Sequence, residues 1–189
     1  MVQTDGMPHT LDDLIASFRD ALIRTLRAAA PHFESWPTTP RGGLNLSGLS
    51  LDLFVQHGYV QISLRLREER ELGGDIGSWA NQGFLSSKDG PCDEELTAIV
   101  SSIEQFSGNA KGSPEDIRHL LFVAAAEALL APEVANTLQT YGVNAPKFGA
   151  SLGGYPFYFY VMDPDEALRV NYCDVIRANR ATARVLGAQ

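Results

Sequence analysis

The amino-acid sequence predicts an α+β fold, in which a small, mainly antiparallel sheet is covered by about five helices. Apolar residues recur every three or four positions in several long segments, which is the period of a helix with one buried face. They alternate with polar residues over about 49–67, which predicts a β-hairpin, and aromatic residues crowd about 155–162, which predicts another strand. Because 189 residues fit around one core, we expect one globular domain over residues 1–189, with flexible ends at residues 1–9 and the last few positions.

A first amphipathic helix is predicted after Thr10, a residue type that often caps helix N-termini. Asp12 and Asp13 fall in its first turn, and Arg24 and Arg27 fall near its end, where they complement the helix dipole. We expect its apolar stripe to pack on the core. The residues of that stripe are Leu11, Leu14, Ile15, Phe18, Leu22 and Leu26.

The alternating segment divides into two strands, with a turn expected at His57 and Gly58. One face of this hairpin is expected to be buried. The polar positions, including the charged stretch 65–71, are expected to face water. The alternating apolar residues are Leu49, Leu51, Leu53, Val55, Val60, Ile62, Leu64 and Leu66.

Loops and helices alternate in the middle of the chain. Residues 73–91 are rich in Gly, Ser, Asn and Asp, which predicts an ordered loop. A helix is expected from Asp93, because three acids would complement its N-terminal dipole. Ser113 followed by Pro114 is typical of a capped helix start, and Pro132 is expected to start a short helix.

The aromatic strand is followed by a predicted C-terminal helix. The acids within residues 163–166 are expected to cap that helix, which would run from about residue 167 to residue 186. A strand with two apolar faces lies in a covered sheet or in an interface, so self-association into a homo-oligomer is one alternative. The aromatic residues that would occupy both faces are Tyr155, Phe157, Phe159 and Tyr160.

Composition indicates a cytoplasmic protein. The chain has two cysteines, too few for the disulfide framework of a secreted protein of this length. No basic cluster followed by an apolar run occurs in the first ten residues, so no signal peptide is expected. The longest uncharged run, residues 148–162, is shorter than the roughly 20 residues of a membrane span. Arginine outnumbers lysine by 12 to 3, a usage common in GC-rich bacterial genomes.

The net charge of −8 is concentrated in the middle of the chain. Between Glu68 and Glu133 there are 13 acidic and 4 basic residues, a local balance of −9. Acidic surfaces repel nucleic acids and anionic membranes, so we expect a basic protein as the partner and neither of those. Six acids and one aromatic anchor are expected to bind it: Glu68, Glu69, Glu71, Asp75, Glu94, Glu95 and Trp79.

Residues 149–153 match the G-x-S-x-G pattern, and with Gly154 they resemble the nucleophile elbow of α/β-hydrolases. In that family a strand precedes the serine, a helix follows it, and the catalytic histidine comes later in the chain. Here Pro146 lies in the preceding segment, an aromatic strand follows, and all four histidines come before Ser151. Ser151 is therefore not assigned as a nucleophile.

Other reactive side chains also lack a catalytic setting. Cys92 precedes a helix, whose dipole lowers a thiol pKa, but the adjacent Asp93, Glu94 and Glu95 oppose a further negative charge. His119 lies on the most apolar helix and is expected to be partly buried, with no catalytic partner that can be named. No Cys/His spacing resembles a zinc site. We expect no catalytic residue, metal or cofactor.

The sequence thus predicts a non-enzymatic, acidic binding protein of bacterial type. In size and charge the chain resembles the immunity proteins that neutralise toxin domains, many of which are basic nucleases. That resemblance implies a basic toxin, or another basic protein, as the partner. The alternative is a small enzyme or ligand-binding domain whose site is assembled from sequence-distant residues around Cys92, His119 or Ser151.

Overall fold

A four-stranded sheet forms one layer of the molecule. The computed structural model describes residues 10–33, 36–38, 43–66, 79–143, 157–163 and 170–187. Its strands are β1 (Leu46–Phe54), β2 (Tyr59–Leu66), β3 (Asn81–Ser86) and β4 (Tyr158–Met162), in the order β3-β2-β1-β4. The β1–β2 and β2–β3 pairs are antiparallel, and β1–β4 is parallel. The predicted α+β fold with a mainly antiparallel sheet is confirmed.

Five helices in the described part of the chain form the second layer. They are α1 (Leu11–Ala28), α2 (Asp93–Asn109), α3 (Pro114–Leu129), α4 (Pro132–Thr140) and α5 (Tyr172–Gly187), with short 3-10 helices at Ala30–Phe33 and Val55–His57. α1 packs against α2, α3 and α4, while α2 contacts β2 and β3, and α3 and α5 contact β4. The buried apolar residues of the helices and of one sheet face form a single core, to which Phe18, Leu51 and Phe122 belong.

Local sequence signals place two helix starts correctly. The Thr10 hydroxyl accepts a hydrogen bond from the backbone N–H of Asp13 (3.1 Å), and the Asp13 carboxylate accepts one from the backbone N–H of Thr10. Ser113 and Asp116 form the same reciprocal pair at the start of α3, where Pro114 occupies the first helical position. Both arrangements satisfy backbone donors that a helix N-terminus otherwise leaves free.

The hairpin is where the sequence predicts it, with shifted ends. Its first strand begins at Leu46 and its second ends at Leu66, and Gly58 adopts a left-handed conformation with φ of 66° after the short 3-10 turn. The aromatic strand starts at Tyr158. Residues 155 and 156 of the predicted strand lie outside the described residues, as do residues 1–9 at the predicted flexible end.

The third strand falls in the segment predicted to be a loop, so that prediction is wrong over β3. β3 pairs with β2 through Ile62 opposite Leu85, and its register shifts farther along the pair. Gly83, with φ of 62°, lies inside the strand. A polar sequence interrupted by glycine hides the two-residue period by which a strand is recognised. The strand forms because β2 offers it a pairing edge.

The last helix begins later than predicted, at Tyr172. Asp163 does not cap it: the carboxylate is buried at the end of β4 and binds the Arg118 guanidinium of α3 through two contacts of 2.5 Å. Asn171 precedes the helix instead, and its carbonyl accepts the backbone N–H of Asp174 at 3.0 Å. A buried carboxylate without a cation costs more free energy than a helix N-terminus without a side-chain cap, so Asp163 pairs with Arg118. Residues 164–169 lie outside the described residues.

The Asn171 side chain also closes the edge of β4. Its Oδ1 accepts the backbone N–H of Val161 at 3.2 Å, and its Nδ2 donates to the carbonyl of Phe159 at 3.1 Å. β4 is an outer strand of the sheet. Unsatisfied donors and acceptors on an outer strand invite pairing with another chain, and one side-chain amide here satisfies one group of each kind.

Two glycines bring distant loops into contact. Gly43 lies against Gly142, so closely that a Cβ on Gly43 would overlap the carbonyl of Gly142. Beside them, the backbone N–H of Leu44 donates to the carbonyl of Tyr141 at 3.1 Å. Gly142 has φ of 70°, a conformation that other residues rarely adopt. This contact ties the entry to β1 to the end of α4.

Candidate functional site

The sheet face opposite the helices is buried and polar. In the β1–β2 register Ser50 lies opposite Ser63, and Asp52 lies opposite Gln61. Ser50, Ser63 and Asp52 are buried, and Arg65 on the same face is 7% exposed. The prediction that polar hairpin positions face water is therefore wrong for these residues. Alternation reports which face is polar, and a polar face can be buried when its groups are hydrogen-bonded. The rest of the charged stretch, residues 67–71, lies outside the described residues.

Asp52 is the centre of a hydrogen-bonded group on this second face, which we call the Asp52 cluster (Ser50, Asp52, Gln61 and Ser63). The Ser50 hydroxyl donates to Oδ1 of Asp52. The Ser63 hydroxyl donates to Oδ2 at 2.7 Å, and Nε2 of Gln61 donates to the same oxygen at 3.2 Å. The Ser63 oxygen in turn accepts the backbone N–H of Gly83 at 3.0 Å, which links the cluster to β3.

The donors around the Asp52 carboxyl are neutral groups. Burial raises the pKa of its carboxyl above the usual range, while the hydrogen bonds from Ser50, Ser63 and Gln61 act in the opposite direction. Within the described part of the chain, its hydrogen bonds all come from these three residues and no cation forms an ion pair with it. A buried carboxylate without a counter-ion is uncommon, since the interior disfavours an uncompensated charge.

An aromatic group lies beside the Asp52 cluster on the same face. Tyr160 is paired with Ser50 and Met162 with Asp52 in the β1–β4 register. The Trp79 ring meets the Tyr160 ring edge to face, with centroids 5.2 Å apart, and Trp79 is 8% exposed. The structure thus places the predicted aromatic anchor in a small buried cluster with Tyr160 and Met162. Its role in partner binding stays a prediction.

The predicted acidic surface is described in part. Glu94 and Glu95 lie in the first turn of α2 beside Asp93, with Glu94 and Asp93 exposed and Glu95 half-buried. Among the described residues, no basic side chain forms an ion pair with any of these three acids. The other predicted partner-binding acids, Glu68, Glu69, Glu71 and Asp75, lie outside the described residues.

Cys92 is positioned at a helix start, as its sequence predicts, but it is not activated there. It occupies the position before α2 in a left-handed conformation with φ of 68°. Burial raises the pKa of its thiol, and the negative charges of Glu95 and Asp93 raise it further. A raised thiol pKa disfavours the thiolate that nucleophilic catalysis needs. The other thiol, Cys173, is buried and has its pKa raised to about 12, mainly by burial.

His119 is exposed on α3, so the prediction that it is partly buried is wrong. The buried stripe of α3 starts with Leu121 and Phe122, and His119 falls on its other side. Its Nδ1 lies 3.4 Å from the hydroxyl of Tyr172, and the two rings have centroids 5.5 Å apart. His119 and Cys92 belong to different helices that both pack on α1. Ser151 lies outside the described residues.

Metal ligands and membrane-spanning helices are two further features that would indicate a function. No three His, Cys, Asp or Glu side chains converge as metal ligands in the part of the chain that the structure describes. No single described helix is long and apolar enough to cross a membrane, and α3 and α4 reach that length and apolarity only together, across a bend of 49°. Comparison with protein-family models, curated proteins and solved structures finds no significant match to this chain.

Proposed function

We propose that this chain is a non-catalytic, acidic binding protein that docks a basic protein partner through a surface that includes the first turn of α2. The observation that carries the proposal is the isolated negative charge of that helix. α2 holds Asp93, Glu94, Glu95 and Glu104, and it contains no lysine or arginine. By contrast, α1 also has an acidic first turn but carries three arginines along its length, among them Arg19 paired with Asp20.

Helix stabilisation explains only part of this charge. An acid in the first turn offsets the positive end of the helix dipole, and the Asp93 carboxylate accepts the backbone N–H of Glu94 at 2.8 Å. Two acids perform that task at the start of α1 and of α3. A third acid, with no ion-pair partner among the described residues, adds negative potential to the surface. Such a surface accelerates association with a basic partner and disfavours acidic ones.

The partner class follows from the sign of the charge. A basic protein, such as a basic nuclease toxin, complements a chain of net charge −8. A domain that neutralises a toxin in the manner of an immunity protein acts by covering its target and needs no nucleophile or base of its own. The raised thiol pKa of Cys92 disfavours covalent catalysis through this thiol.

Affinity capture followed by association kinetics tests this proposal. The tagged protein would be used to capture partners from its host at low and moderate salt, with quantitative mass spectrometry. We expect one basic protein at near-equal stoichiometry, which is lost as salt rises. With that partner in hand, Glu94→Gln/Glu95→Gln should slow association several-fold and reduce its salt dependence, because exposed rim charges act mainly on association rates.

Matched variants make the kinetic test specific. Asp12→Asn removes an exposed acid from the first turn of α1, outside the acidic middle, and should leave association unchanged. Glu68→Gln/Glu69→Gln/Glu71→Gln tests the part of the predicted surface that lies outside the described residues. If neither set of variants changes the association rate, docking through the acidic middle of the chain is excluded.

A further inference from the structure

Asp52 and Asp163 are the two buried acids among the described residues, and Asp163 is paired with Arg118. Asp52 lies on β1, which is flanked by β2 on one side and β4 on the other. The residue is 5% exposed, so its carboxyl group is largely removed from bulk water. A carboxylate held at this depth must be stabilised by its neighbours or take up a proton.

The charged groups that the described residues place near this face do not supply a counter-charge to Asp52. Arg65 on β2 lies opposite Gly48, four residues along β1 from Asp52, or about 13 Å at the usual rise per strand residue. Lys88, which follows β3, is positioned over the ring of Tyr59, 5.5 Å from its centroid. The other titratable groups that the described strands place on this face are the phenols of Tyr59, Tyr158 and Tyr160, and a phenol has no cationic form that could act as a counter-charge.

The hydrogen-bond pattern shows where a proton would be held. Oδ2 of Asp52 already accepts two bonds, from Ser63 and Gln61. The Ser63 hydroxyl uses its one hydrogen to donate to Oδ2, while its oxygen accepts the N–H of Gly83. Among the described residues, Oδ1 is hydrogen-bonded only to the Ser50 hydroxyl, which can accept as well as donate. A proton on Oδ1 would be donated to the Ser50 oxygen, and only the Ser50 hydrogen would need to turn.

We propose that the Asp52 cluster is a proton-sensitive device built into the sheet. As the pH falls, the folded protein takes up one proton on Oδ1 of Asp52; as the pH rises, release of this proton leaves a buried negative charge that weakens the second face of the sheet. The aromatic group beside the cluster reports the change, since the Trp79 ring packs edge to face on Tyr160, which lies opposite Ser50 in the β1–β4 register. This device is independent of the acidic surface at α2.

The sign of the pH dependence follows from the direction of the pKa change. The carboxyl of Asp52 has its pKa raised above the ordinary value of 3.8. Below that value both the folded and the unfolded chain are protonated at Asp52, and the stabilisation is complete. Between 3.8 and the raised pKa, the unfolded chain has lost its proton while the folded protein retains it. The ratio of folded to unfolded protein therefore falls about tenfold per pH unit across this window through Asp52 alone.

Titration of the wild-type protein is the direct test. The carboxyl carbon of Asp52, followed by NMR with selective ¹³C labelling, should titrate above 3.8 in the folded protein and near 3.8 in urea. Urea unfolding of Asp52→Asn between about pH 4 and pH 8 should lack the corresponding loss of stability. Asp89→Asn, which changes an exposed loop acid, should retain it. A carbon that titrates at or below 3.8 in the folded state would overturn the proposal, and this result does not depend on any variant folding.

Tryptophan emission tests whether ionisation loosens the second face. The chain contains two tryptophans, so Trp36→Phe leaves Trp79 as the single reporter. We expect Trp79 emission to change with the same midpoint as the Asp52 carbon, and to stay constant when Asp52→Asn is added. Constant emission while Asp52 titrates would show that the proton leaves without affecting the packing of this face, contrary to the proposal.

Discussion

The two faces of the sheet are buried to a similar degree but hold different chemistry. On the helix side, β1 and β2 contribute fully buried aliphatic residues, among them Leu51 and Ile62. On the other side, the same strands contribute Ser50, Asp52 and Ser63, which are buried too. Apolar burial stabilises the fold whatever the pH, whereas the polar face is stable only while each group keeps its hydrogen-bond partner. The apolar face therefore contributes stability that does not change with pH, whereas the contribution of the polar face depends on its hydrogen bonds.

The largest expected effect lies on the apolar face. Leu51→Ala removes a fully buried side chain from β1 and should leave a cavity that the surrounding core fills only in part. We expect a loss of about 2–5 kcal/mol in the free energy of unfolding, measured by urea titration. Val175→Ala, at a residue that is 40% exposed on α5, should change it by less than about 0.5 kcal/mol. A small effect of Leu51→Ala would mean that the apolar face does not dominate stability.

A smaller loss of stability, together with a change in the pKa of Asp52, is expected from a substitution on the polar face. Ser63→Ala removes a donor to Asp52 and an acceptor for Gly83, which should cost about 1–3 kcal/mol. It should also raise the pKa of Asp52 further, because the Ser63 hydrogen bond favours the ionised form. Ser47→Ala is the matched control, since Ser47 is a buried serine that bonds the carbonyl of Leu66. If both variants leave the Asp52 titration unchanged, the cluster does not act as a unit.

The smallest expected effect is at β4, the outer strand, which contributes residues to both faces of the sheet. Asn171→Ala removes the amide that bonds Val161 and Phe159 and precedes α5. We expect a loss of about 0.5–2 kcal/mol, typical of a helix cap. Hydrogen exchange at the Val161 amide should accelerate more than exchange at central β1 amides. Asn179→Ala, at an exposed position of α5, provides the control, and equal exchange in both variants would contradict the closing role of Asn171.

The sequence predicted well those features that depend on residues close together in the chain. The capping pairs of Thr10 with Asp13 and of Ser113 with Asp116 each span three residues, so the helix starts can be read locally. The hairpin turn at Gly58 is equally local. These elements fix the fold class, because amphipathic helices and a hairpin of matching size must bury their apolar faces against each other.

Features that join distant segments could not be predicted in the same way. β3 is a strand because β2 offers it an edge, and its own polar sequence with Gly83 does not show the period. The Asp52 cluster joins three strands, since Ser63 bonds both Asp52 of β1 and Gly83 of β3. The sequence held one signal of this burial. Several polar positions carry short side chains such as that of Ser50, which form hydrogen bonds with neighbouring groups. A sheet face in water often carries long polar side chains that reach solvent.

The contact between Gly43 and Gly142 limits which substitutions the chain can tolerate at these two positions. A side chain at either position would meet the backbone of the other, and glycine is already the smallest residue, so no second substitution can make room. Most packing contacts allow a change on one side to be rescued on the other, but this one does not. Two positions far apart in the gene are therefore fixed together, and any lineage that loses one glycine must rebuild the junction between β1 and α4.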